Sequence, residues 1–83
     1  MEIKKEFKQL MAKELECDIS KLDDNARILE DLGINSLEFA ELISEVEEKF
    51  NITVLDEDIC KIRTIQDCVE ILERTIDAEE NGI

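Results

Sequence analysis

The chain has 83 residues with 23 Asp and Glu against 10 Lys and Arg, a formal charge of −13 that argues against nucleic acid and anionic membrane and selects basic protein surfaces as partners. It has no His, Pro, Trp or Tyr, so helix is favoured and neither a His-based catalytic triad nor a His-containing zinc set can be assembled. One domain near this size buries only about 60% of its unfolded surface, which argues against a deep catalytic cleft.

Ile3, Phe7, Leu10, Met11 and Leu15 share one face and predict a helix over about residues 2–15, with Lys4, Lys5, Lys8 and Lys13 elsewhere. Those lysines cancel Glu2, Glu6, Glu14 and Glu16, so the whole −13 falls on residues 17–83. A long connection follows from Cys17 to Ile34, a length that is usually functional or held by its own side chains. Ile19, Leu22, Ile28, Leu29 and Leu32 are its expected anchors. Its acids, Asp18, Asp23 and Asp24 among them, lack the alternating ligand spacing of a calcium loop, so no metal site is expected. Gly33 falls where a positive backbone angle is needed to turn into the next element.

Asn35 is the expected N-cap of that element and Glu38 its reciprocal capping partner, which makes Ser36 the first helical residue. No base stands near Ser36 in sequence, so an exposed hydroxyl there is better suited to being modified than to attacking a substrate. Phe39, Leu42, Ile43, Val46 and Phe50 form one buried stripe and predict a helix over residues 36–50. Leu37 lies roughly 140° around the helix from Leu42, beside Glu41, Ser44 and Glu48, and should face water. The same helix carries five acids and one base.

Residues 51–55 contain the β-branched Ile52, Thr53 and Val54, but no second strand exists to pair with them, so an extended loop is expected. Asp56, Glu57 and Asp58 are expected to cap a short helix through Ile59 to Ile62, and Thr64 with Asp67 to cap a last one. In that last helix Ile65, Cys68, Val69, Leu72 and Ile76 repeat the stripe of the second helix. The expected architecture is all-α, a small bundle of three longer helices and one short one with a long first connection. A single domain over residues 1–77 is followed by a flexible acidic tail over residues 78–83. Cys17, Cys60 and Cys68 form no metal or disulfide pattern, and Cys68 belongs to the core stripe. Reduced cysteines, no signal peptide and no bilayer-length apolar run point to a soluble cytoplasmic monomer.

The run Asp31-Leu32-Gly33-Ile34-Asn35-Ser36-Leu37-Glu38, with Glu41-Leu42, Glu47-Glu48-Lys49-Phe50 and Lys61-Ile62-Arg63-Thr64-Ile65, closely resembles the acyl carrier proteins over most of the chain. The resemblance implies that a phosphopantetheinyl transferase esterifies Ser36 with the 4′-phosphopantetheine of coenzyme A. The carrier then needs no catalytic residue of its own, because the arm holds acyl groups as thioesters for other enzymes. It also implies partner contacts at Leu37, Ala40, Glu41, Ser44, Glu47, Glu48 and Asp56, recognised by acyl-transferring and acyl-modifying enzymes with basic patches. Acyl chains, where stored, would lie among Leu42, Val46, Val54, Ile59, Ile62, Cys68 and Leu72, which are core residues on pattern alone.

Asn35 departs from the Asp usual before the modified serine, which keeps the cap but removes a charge useful to the transferase and its metal. The expected function is an acyl carrier of fatty acid, polyketide or related lipid synthesis, and Asn35, with Phe39 after Glu38 and the acidic tail beyond Ile76, suggests a specialised carrier rather than the housekeeping one of fatty acid synthesis. The alternatives are an aminoacyl or peptidyl carrier, and an unmodified adaptor that binds partners through the acidic helix.

Overall fold

In the computed structural model, which describes residues 2–80, four helices run α1 (Ile3–Leu15), α2 (Ser36–Phe50), α3 (Asp56–Ile59) and α4 (Ile65–Glu80). Helices α1, α2 and α4 surround one core in which Phe7, Met11, Val46, Ile65, Cys68 and Leu72 are wholly buried. Each helix contributes the apolar stripe its spacing predicts, and no polar or charged residue joins the core among the described residues. Left-handed residues end the first two long helices, Glu16 at φ 52° and Asn51 at φ 55°.

The long first connection is pinned more tightly than its length suggests. A single 3₁₀ turn, Ile19–Lys21, begins with Asp18 accepting the Ser20 amide at 3.0 Å. Asp23 accepts the Asn25 amide at 3.0 Å and Asp31 the Arg27 amide at 2.9 Å. The acids of this connection therefore hold its own backbone. Its middle runs against the segment before α4, where the Ile28 amide donates to the Arg63 carbonyl and the Ile65 amide to the Ala26 carbonyl, at 2.8 and 3.1 Å. This isolated antiparallel bridge, Arg27 to Thr64, is absent from the sequence reading. Residues 52–55 are extended and unpaired by strands, with Ile52 and Val54 buried and Thr53 and Leu55 outward.

Three local expectations are corrected. Ile19 and Leu29 are 39% and 44% exposed, so Leu22, Ile28 and Ile34 anchor the connection, with Leu32 half-buried. Asp56, Glu57 and Asp58 form the first turn of α3 rather than its cap, because the chain enters from extended Leu55 with no side-chain cap. There they complement the helix dipole. At the far end, residues 78–80 of the anticipated tail form the last turn of α4, and residues 81–83 lie outside the described residues.

Candidate functional site

The turn into α2 is set by Gly33 at φ 69°, a conformation that an L side chain adopts only with strain, although a Cβ there would meet nothing within 4 Å. Asn35 then caps the helix, its Oδ1 accepting the Glu38 amide at 2.8 Å while Glu38 Oε1 accepts the Asn35 amide at 3.0 Å. The reciprocal pair fixes the first turn from both sides.

Ser36 stands exposed at the first helical position inside this frame. The box satisfies the amides of Asn35 and Glu38, leaving those of Ser36 and Leu37 at the positive end of the helix dipole for an anion carried on the Ser36 hydroxyl. A phosphodiester fits this position. Its charge would sit beside free donors, and the arm would leave into solvent without displacing a packed side chain.

From Ser36 one exposed strip continues along α2 through Leu37, Ala40, Glu41, Ser44 and Glu48, opposite the buried stripe. Leu37 is 69% exposed, the most exposed large apolar side chain of the described residues. Asp56 is also exposed at the start of α3. Glu47 differs from these neighbours. It is half-buried, and its Oε2 accepts the Val54 amide at 2.8 Å, tying α2 to the extended segment behind it. Leu55, 56% exposed beside Asp56, was missed by the sequence reading. Its signal was the alternation of residues 52–55.

Leu42, Val46, Val54, Ile62, Cys68 and Leu72 meet in the core, with Ile59 half-buried against them. Burial pushes the Cys68 thiol up to about 12, with the charge of Asp67 adding to the effect. Cys17 is half-buried and Cys60 exposed, and both are unpaired. A cavity of about 110 Å³ opens on the other side of α2, toward α1, lined by Met11, Glu14, Leu15, Ile34, Glu38, Glu41 and Leu42. No cluster of His, Cys, Asp and Glu that could hold a metal occurs among the described residues. None of the described helices is long and apolar enough to cross a membrane.

The family described as phosphopantetheine attachment site matches residues 5–72. An acyl carrier protein of Solidesulfovibrio magneticus is 31% identical over 74 residues, covering 89% of this chain and 95% of that protein. The crystal structure of an acyl carrier protein from Thermotoga maritima superposes with a TM-score of 0.66 at 29% identity, covering 88% of this chain and 93% of that one.

Proposed function

This chain belongs to the acyl carrier proteins, whose cofactor is covalent 4′-phosphopantetheine, and on that premise we propose that Ser36 carries the arm and that the chain shuttles acyl thioesters among cytoplasmic enzymes of lipid or polyketide synthesis. When attached, the arm supplies the thiol that holds the acyl group. The protein's own residues position and present it. The observation that carries this reading is Ser36 exposed at the capped start of α2, with the Asn35–Glu38 box turned away to the backbone amides.

Recognition falls to the strip of Leu37, Ala40, Glu41, Ser44 and Glu48, joined by Asp56 and by Leu55 next to it. Its carboxylates attract basic patches over a Debye length of about 8 Å at physiological salt, and Leu37 gives an apolar anchor once contact is made. Such contacts suit a carrier that must leave each enzyme quickly. Glu47 contributes by holding α2 in place rather than by meeting a partner. The buried set around Leu42, Val46, Val54, Ile59, Ile62, Cys68 and Leu72 would store an acyl chain only by parting, since it is packed as core.

Intact mass before and after incubation with coenzyme A, Mg²⁺ and a broad-specificity phosphopantetheinyl transferase tests the assignment. A gain of one phosphopantetheinyl group in the parent chain, absent in Ser36→Ala, is the expected result. A gain retained by Ser36→Ala would move the attachment site. No gain with that enzyme, nor in protein from its own host, would favour the adaptor reading.

A further inference from the structure

The cavity between α1 and α2 shares Glu41 with the strip on the outer face of α2 and extends from there to residues the strip does not include. Its floor is apolar, made by Met11, Leu15, Ile34 and Leu42, and its rim carries three carboxylates, Glu14 from α1 with Glu38 and Glu41 from α2. At about 110 Å³ it far exceeds the roughly 10–15 Å³ that one water requires. Ile34 and Glu38 stand two residues on either side of Ser36, so the cavity opens beside the proposed attachment point.

An apolar floor under an anionic rim matches a cation on an aliphatic stem. Arginine matches best, because its planar fork of five donors can reach more than one carboxylate at once, whereas an ammonium is compact and more strongly hydrated. An acyl tail would have to pass the rim and desolvate carboxylates without giving them partners. Resting on the carrier reading, we propose that this cavity receives an arginine side chain from the enzymes that act at Ser36, making α1 a second wall of the docking surface.

The charges around the site favour such a guest. Glu45, one turn beyond Glu41, is held above the usual glutamate range by a shared hydrogen bond with Glu14, then by partial desolvation and the charges of Glu14 and Glu41, with Lys13 opposing. Glu38 is kept in place by its bond to the Asn35 amide. No ion pair within 4.0 Å joins Glu14, Glu38 or Glu41 to a cation of the chain among the described residues. An incoming guanidinium would give Glu14, Glu38 and Glu41 the paired cation that no ion pair among the described residues supplies.

The test uses butylguanidinium as the probe in a methyl NMR titration of the unmodified protein, with butylurea as its neutral counterpart. Saturable shifts at Met11, Leu15, Ile34 and Leu42 are expected with butylguanidinium alone, weakened at least about fivefold in Glu14→Gln/Glu41→Gln. Equal response to butylurea, or equal shifts at the α4 methyls of Val69, Ile71 and Thr75, would overturn the proposal. In transferase kinetics, Glu14→Gln should raise KM on the order of 3–10-fold with kcat kept, while Glu73→Gln, an equal loss of charge on α4, changes it less than about twofold. Equal effects of the two variants would reduce the cavity to long-range attraction and also overturn the proposal. Absence of any phosphopantetheinyl gain, with that transferase or in protein from its own host, would sink the carrier reading, whereas the probe titration judges the cavity by itself.

Discussion

The first connection and the outer face of α2 are both acid-rich, yet they treat charge in opposite ways. All four ion pairs among the described residues involve the connection: Lys4 and Lys8 grip Asp24, and Arg27 pairs with Glu30 and Asp31. Helix α2 has none among those residues. Carboxylates that already have cations serve the fold, while carboxylates left without them remain available to a partner. A −13 chain therefore holds two populations of acids, separable by whether a cation of the chain has claimed them.

Charge reversal should break this contrast most visibly. Glu41→Lys/Glu48→Lys is expected to lower transferase kcat/KM by about 10–100-fold, most at low salt, with no loss of thermal stability. Asp24→Asn should do the reverse, lowering Tm through its lost grip on α1 while leaving kcat/KM unchanged. Adjacent residues offer a finer version. Glu47→Ala removes the acceptor of the Val54 amide and should cost about 1.5–3 kcal/mol in urea denaturation. Glu48→Ala should stay within about 0.5 kcal/mol of the parent.

The pH profile sharpens the contrast further. Hydrogen bonds from Lys4 and Lys8 lower Asp24 from 3.8 to about 2, so its stabilisation is complete above 3.8 and disappears as pH falls toward 2. Glu45 shifts the opposite way, raised from 4.5 chiefly by its hydrogen bond with Glu14, so folding gains as pH falls through its folded value and the gain is complete below 4.5. Tm measured across pH should therefore peak in the mildly acidic range between these windows and fall on either side. A profile flat from neutral pH down to 4 would contradict the role given to Glu45. The smallest effects should come from Asn35→Asp, which keeps the cap and raises transferase kcat/KM a few-fold, and from added salt or Mg²⁺, which raises Tm modestly by screening α2.

Much of this was legible in the sequence because it is local. The capping box, the turn at Gly33, the exposure of Leu37 and the stripes of α1, α2 and α4 each follow from residues within a few positions of one another. What escaped depends on distant pairing. Nothing near Arg27 announces Thr64 as its neighbour, and nothing in Glu47 distinguishes it from Glu48 until Val54 lies behind it. The cavity escaped for the same reason, since Glu14 and Glu41 sit 27 positions apart and meet only when α1 packs on α2. Ile19 and Leu29 misled because an apolar residue in a loop signals an anchor only when the loop's path brings it inward.

The burial of Cys68 has a chemical consequence for a protein that handles thioesters. A sulfur nucleophile in the region proposed to store acyl chains could take the acyl group by thiol–thioester exchange, releasing the arm's thiol and stranding the cargo as a thioester on the protein. At about 12, Cys68 holds roughly one thiolate in 10⁵ at neutral pH, against a few per cent for an ordinary cysteine. The packing that makes this residue a small apolar wall also keeps it chemically silent, which would leave an acyl group stored there on its arm.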